Sequence, residues 1–466
     1  MAHNTLSDVN ECVVHPPSHL EGPAVIAVMP VCQRSDSLRN QSGMVLVTAL
    51  VLLAMLIVFA ATSIQWATQD VVRTEQYNKS RDSFYIAMAG IENAINHLNY
   101  SSTGSSPGEE IAAAGMDTVL SSFLTNHSAL TSTSYNGGTY AVSLADNDDN
   151  DGNTADDSDN TLILTSVGSK SNRSITIKAV IHRPLYEAKN AITTQGNLNA
   201  NGNITVNGTA GSVHTNSSFT QAGGSAFVAQ GVTSTGTCSG SECVSGGMVP
   251  EDIPTITPAD FKSYCDFWLH SDGTITNAAG GALAADKDLS SWSYNSGQSK
   301  WSLNGASENG MYYVDGKVVM TGNISDVDIP GNSDPLQATF LATEYIKIGG
   351  TVSLKNYRNP SHTEDIQNLF LVATKDVDLG SNVSIGSAGN PEQGIIGAGH
   401  QLGIAGNTYI KGYAVASDVA DTGTGADNPV SGDSTISGNM TITYDNQTTG
   451  PWLSNKVIIL SWEETG

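Results

Sequence analysis

The sequence predicts an α+β chain: one long N-terminal helix with a small antiparallel sheet, followed by a large β-rich domain built as a β-solenoid. Three observations predict it. The run from Met44 to Ile64 holds only Thr48, Thr62 and Ser63 as polar members, and at about 1.5 Å per residue a helix of this length spans the ~30 Å of a bilayer core. Segments 140–144, 162–167 and 175–181 alternate apolar and polar residues in strand fashion. Beyond residue 190 short apolar segments are punctuated by Gly-Asn or Ser-Asn pairs, a texture of stacked repeats.

Residues 1–43 read as a leader. Pro16, Pro17, Pro23 and Pro30 discourage helix there, and Met29 offers a second possible start. Arg34 and Arg39 precede the apolar run while Asp70 and Glu75 follow it, so the positive-inside rule puts the N-terminus in the cytoplasm and the rest of the chain outside. The helical segment, 44–100, continues past the apolar run. Phe84, Ala87, Met88, Ile91, Ala94, Ile95 and Leu98 recur at helical spacing, which predicts an amphipathic half lying on a globular domain.

A polar, basic leader that ends in Gly and meets an apolar helix at once resembles the class III signal of type IV pilins and type II secretion pseudopilins. The stretch Gly43-Met44-Val-Leu-Val-Thr-Ala-Leu-Val-Leu-Leu is most similar to PilX-type minor pilins. The resemblance implies that prepilin peptidase cuts after Gly43, that the new amine of Met44 is methylated, and that the partners are other pilins and minor pilins, with the inner membrane holding the subunit before assembly into a surface pilus. Major pilins carry Glu at the fifth mature position; here it is Thr48. A lone carboxylate in lipid costs several kcal/mol, so its absence suits a rare initiating or tip subunit. An ordinary N-terminal membrane anchor is the competing reading.

Residues 101–185 form the predicted α+β head, with a loop at 101–107, a helix over 112–124 and the three strands named above. Between the first two strands lies an acidic loop in which Asn147, Asp149, Asp151 and Gly152 have the look of a calcium site, because hard cations take oxygen ligands and Gly permits the sharp turn. The twelfth position is Ser158 rather than Glu, so a solvated acidic loop stands as the alternative.

Residues 186–466 form the predicted β-rich domain. Its punctuation falls at Gly202-Asn203, Gly322-Asn323, Ser381-Asn382, Gly406-Asn407 and Gly438-Asn439, and a β-sandwich is the rival architecture. One capped helix is expected near 257–270, with Phe261, Tyr264, Phe267 and Trp268 packing. Of the five cysteines, Cys238 and Cys243 are close enough for a local disulfide in an oxidising compartment, which leaves Cys265 odd.

The formal charge of −25, from 45 Asp and Glu against 20 Lys and Arg, argues against a phosphate-neutralising nucleic-acid binder. The rival from another class is an exported polysaccharide-degrading enzyme. It would need convergent carboxylates, and the candidates Asp315, Asp326, Asp376 and Asp378 are not paired in sequence. His400 in Gly-Ala-Gly-His-Gln is a weak lead. The sequence therefore favours a non-enzymatic subunit. Its β-rich domain would offer a surface for a host or surface ligand, as would a membrane-anchored adhesin outside any filament.

Overall fold

The computed structural model describes residues 42–100, 109–147, 157, 159–208, 210–327, 335–417, 430, 432–444 and 448–465. The chain divides into two units, residues 1–75 and 76–466. It is a mixed α+β structure: a long N-terminal helix, a small sheet and a large β-rich domain whose parallel strands close round one core.

Helix α1, Ser42–Asn99, changes character along its length. Met44 to Glu75 is exposed throughout. From Ile86 onward the apolar stripe Ile86, Ala87, Ile91, Ala94 and Leu98 is fully buried at i, i+4, i+7 spacing, which brings one face of the helix onto a sheet. Helix α2, Glu109–Asn126, is kinked at Gly115, whose φ of 70° favours glycine.

The small sheet contains β1 (Thr133–Tyr135), β2 (Gly138–Asp146), β3 (Thr161–Lys170) and β4 (Arg173–His182). All pair antiparallel in that order. Their alternation sends Tyr140, Val142, Leu162, Leu164, Ile177, Ala179 and Ile181 into one core with the α1 stripe and with Met116, Val119 and Phe123 of α2. Helix and sheet approach closely at two glycines. A Cβ on Gly168 would lie 2.2 Å from Ser83 O and 2.3 Å from Ala87 N, and one on Gly90 would lie 2.3 Å from Ser166 Oγ.

A fifth strand completes this sheet, and it comes from the far end of the chain. Ile458–Thr465 pairs antiparallel with β4, Ile458 opposite His182. Asn99, the last residue of α1, grips its start: Val457 N–H donates to Asn99 Oδ1 at 2.7 Å, and Asn99 Nδ2 donates to Val457 O at 3.2 Å. The expected β-rich segment 186–466 therefore needs a correction, because its last strand belongs to the head. The pairing joins residues almost three hundred positions apart, which local periodicity cannot register.

In the β-rich domain β5 (Ile192–Thr194), β6 (Leu198–Ala200) and β7 (Asn203–Asn207) pair in parallel with β8 (Val213–Thr215), β9 (Phe219–Gln221) and β10 (Ala226–Val228). Val232–Ser234 and Cys238–Ser239 continue two of these rows. The chain then leaves for the opposite end of the wall. Phe267–Leu269 begins a second series that returns through Gly310–Val314, Leu336–Ala342, Leu369–Ala373, Glu392–Ala398 and Asn407–Ala416. Its last strands meet the first series: Ala414 lies opposite Ile192, Ser434 opposite Leu198 and Asn439 opposite Asn203. The two series enclose one core that includes Ile192, Phe219, Trp301, Phe340, Ile396 and Ile442.

Residues 246–266 connect the two ends and cover the outside of the wall. Ile253, Ile256 and Phe261 share a second core with Met311, Tyr313, Leu341, Val372, Ile395 and Val415. Strands such as Leu369–Ala373 are thus buried on both faces, which accounts for their unbroken apolar sequence. The single helix expected at 257–270 is replaced by a 3-10 helix, Pro258–Tyr264, and a strand, Phe267–Leu269. Parallel pairing of Phe267 with Tyr312 overrides the local helical pattern. Phe261 and Phe267 are buried and Trp268 half-buried, while Tyr264 remains exposed.

Candidate functional site

Membrane insertion is the first property that the residues of α1 can supply. Met44, Leu46, Leu53, Leu56, Ile57 and Phe59 are all exposed, and the most apolar window of the helix reaches a mean hydropathy of 3.0 with nothing packed over it. The two threonines of the apolar run are satisfied internally. Thr48 Oγ1 donates to Met44 O and Val45 O at 3.0 Å, and Thr62 Oγ1 donates to Val58 O and Phe59 O at 3.0 Å. Such back-bonding lets a hydroxyl enter an apolar medium without an open donor. Gly43 and Met44 are the second and third residues of α1.

The acidic loop is only partly described. Asn147 Nδ2 donates to Asp159 Oδ2 at 2.9 Å, whereas Asp149 and Asp151 lie outside the described residues. Beside it, Asp157 N–H donates to Asp117 Oδ1 at 2.5 Å and Asp157 Oδ1 accepts Thr161 N–H at 2.8 Å. Burial, reinforced by Asp159 and Asp117, raises the Asp157 carboxyl from its ordinary 3.8 to about 6. Among the described residues no group of three or more His, Cys, Asp or Glu is arranged to hold a metal.

Cys238 and Cys243 form a disulfide. It joins the strands Cys238–Ser239 and Cys243–Ser245, each the outermost of its row, and so ties one end of the wall. Cys265 is free and buried, and burial pushes its thiol up.

The outer face of β7 carries an arrangement that the Gly-Asn punctuation foreshadows. Asn203, Asn439 and Asn407 stand opposite one another on adjacent parallel strands. Asn203 Nδ2 donates to Asn439 Oδ1 at 2.6 Å, and Asn439 Nδ2 donates to Asn407 Oδ1 at 2.7 Å. Two positions along, Thr205, Thr441 and Tyr409 form the next outward row. Neighbouring strands are about 4.8 Å apart, so these rows set amides and hydroxyls at a fixed repeat. Asn323 and Asn382 are not members of this ladder.

The carboxylates considered for catalysis are each engaged separately. Asp315 accepts from Trp268 Nε1 at 2.7 Å and Asp326 from Asn309 Nδ2 at 2.6 Å. Asp376 accepts the N–H groups of Gln401 and Val430, and Asp378 pairs with Lys347 at 2.8 Å. The backbone N–H of His400 donates to Lys375 O.

No protein-family profile matches the chain, and no curated protein matches it. Among solved structures, it is similar to the competence-associated pilin ComZ from Thermus thermophilus, at 13% identity and a TM-score of 0.27 over 83% of this chain and 97% of that one. It is also similar to the ice-binding protein of the Antarctic ascomycete Antarctomyces psychrotrophicus, at 12% identity and a TM-score of 0.20 over 51% of this chain and 96% of that one.

Proposed function

We propose that this chain is a minor pilin of a type IV pilus or related filament, of the PilX type, acting at filament initiation or at the tip. One observation carries the reading. A single 58-residue helix has an exposed apolar half of membrane length and, from Ile86, a buried stripe against an antiparallel sheet. An apolar half serves first as an anchor in the inner membrane and then as a packing surface among subunits. Cleavage after Gly43 by prepilin peptidase, with methylation of Met44, belongs to this reading. Thr48, without a charge to neutralise, favours a rare subunit.

The β-rich domain is the displayed part, read here as a β-solenoid in which short strands stack turn upon turn. Its paired Asn and Thr rows give it a face for a surface or host ligand. Mass spectrometry of the mature N-terminus from sheared surface filaments tests the assignment. A methylated Met44 is the expected species. An intact leader confined to the inner membrane would refute it, and would favour a membrane-anchored adhesin outside a filament.

A further inference from the structure

The two ends of the β-rich wall are finished differently. At one, Ile275–Thr276 folds back antiparallel on Phe267–Leu269 and Trp292–Asn295 on Lys300–Leu303, and the linking chain carries the exposed carboxylates Asp272, Asp286 and Asp288. At the other, the outermost strands are β10, Cys238–Ser239 and Cys243–Ser245, and among the described residues none of them pairs with a strand on its outer side. Each therefore turns an open backbone edge outward.

Open edges are ordinarily guarded by charge, above all by Lys. That guard is missing here. Over residues 191–250 the single Asp, Glu, Lys or Arg is Glu242, in a chain of which such residues make up 14%. Glu242 is half-buried, and Val228 N–H donates to its Oε2 at 3.5 Å. The pairing of Cys243–Ser245 with Val232–Ser234 slips by one residue at Val244, and this bulge leaves Val244 68% exposed. Phe227 of β10 is 60% exposed and Val249, just past the last strand, 72%. Beneath them Val228, Val232 and the two disulfide-bonded cysteines already close the core. The exposed apolar side chains are therefore surplus to the fold of this end.

Charge decides what can cover it. Two copies of a chain with a net charge of −25 repel wherever their general surfaces meet. At the 191–250 end they can meet with no like charges apposed except the half-buried Glu242. A basic partner would find almost nothing to pair with there and would be drawn to the acidic remainder of the chain. We propose that this end is a self-association surface, at which two copies of the chain meet about a two-fold axis through their open edges and through Phe227, Val244 and Val249. Under a two-fold the same patch serves both copies, and the far end, folded back and acidic, offers no matching surface for head-to-tail stacking. The inference goes beyond the filament assignment and does not depend on it, because every group involved lies in the β-rich domain.

Sedimentation equilibrium of the full chain in density-matched detergent tests it. A monomer–dimer equilibrium is expected, and a weak one, because the edges are short and the contact small. It is expected to tighten severalfold as sodium chloride rises from about 50 to about 300 mM, since salt screens the repulsion between two acidic chains and leaves an uncharged contact intact. Val244→Lys and Phe227→Lys each set like charges across the axis and are expected to weaken the dimer roughly tenfold or more. Ala279→Lys, at the far end, is expected to leave it unchanged. A wild type that stays monomeric up to about 100 μM, a dimer that loosens with salt, or a dimer that both Val244→Lys and Phe227→Lys leave intact, as contact through α1 alone would, each overturns the proposal. Matching thermal melts of the variants and the wild type separate loss of the contact from loss of the fold.

Discussion

Replacing Gly168 by Ala places a methyl group where the backbone of α1 already is. The added Cβ would sit 2.2 Å from Ser83 O and 2.3 Å from Ala87 N. Neither is the end of a flexible side chain, so relief to an ordinary contact of 3.4 Å requires helix and sheet to part by about 1 Å. A gap of that size forfeits a quarter to a half of each dispersion well along the seam, which involves Ile86, Ala87, Ile91 and Leu98 on one side. Overpacking of this kind costs about 1–3 kcal/mol, and the backbone clash places Gly168→Ala at about 3 kcal/mol. Gly90→Ala is the internal control. Its Cβ would meet Ser166 Oγ at 2.3 Å, a hydroxyl that can rotate away, and the Tyr140 ring at 3.0 Å, which must give by a few tenths of an ångström, while Ala in a helix interior gains roughly 1 kcal/mol over Gly. The expected net change for Gly90→Ala is within about 1 kcal/mol of zero. Denaturant unfolding of both variants in the same detergent, followed by tryptophan fluorescence and amide exchange in β3, measures the difference. If Gly168→Ala proves as stable as Gly90→Ala, the close approach of strand and helix is not as described.

Arg183 donates through Nε to Ser454 O at 2.5 Å and through Nη2 to Asn455 Oδ1 at 3.0 Å, beneath the 252–255 segment; Arg183→Ala is expected to cost about 2–4 kcal/mol and to speed amide exchange in Ile458–Thr465 before other strands. Asp157 titrates near 6 in the fold, so the stability from its protonated carboxyl is fully present below pH 3.8 and is lost as pH rises through about 6. Unfolding midpoints measured from pH 4 to 7 should fall across that window, and Asp157→Asn should flatten the fall. We further propose that the loop containing Asn147, Asp149 and Asp151 binds calcium; calorimetry against a chelated control is expected to show saturable heat and a raised melting temperature, and their joint absence removes the site.

Much of the head was legible because its signals are local. Ile91, Ala94 and Leu98 announce a buried helix face by spacing alone, and the alternation in β2, β3 and β4 places three strands within three residues of their observed bounds. Ile458–Thr465 carries strand-forming residues, but nothing in them names β4 as partner. The order of the β-rich domain was hidden for the same reason, since the chain departs at residue 246 and returns to β5 only through Ala414. Gly-Asn pairs mark turns wherever they occur, yet only register decides that Asn203, Asn439 and Asn407 stack. The strand Phe267–Leu269 was illegible, since it lies where the local pattern favours helix.

Because the strand Ile458–Thr465 supplies the fifth member of the head sheet, the whole β-rich domain is an insertion between two neighbouring strands of the head. A chain interrupted anywhere in those intervening residues would be left with an exposed β4 edge and with Asn99 unable to close on Val457. Completion of the small domain thereby reports on completion of the large one. A head sheet closed by Ile458–Thr465 is therefore a mark that the inserted domain has been made to its end.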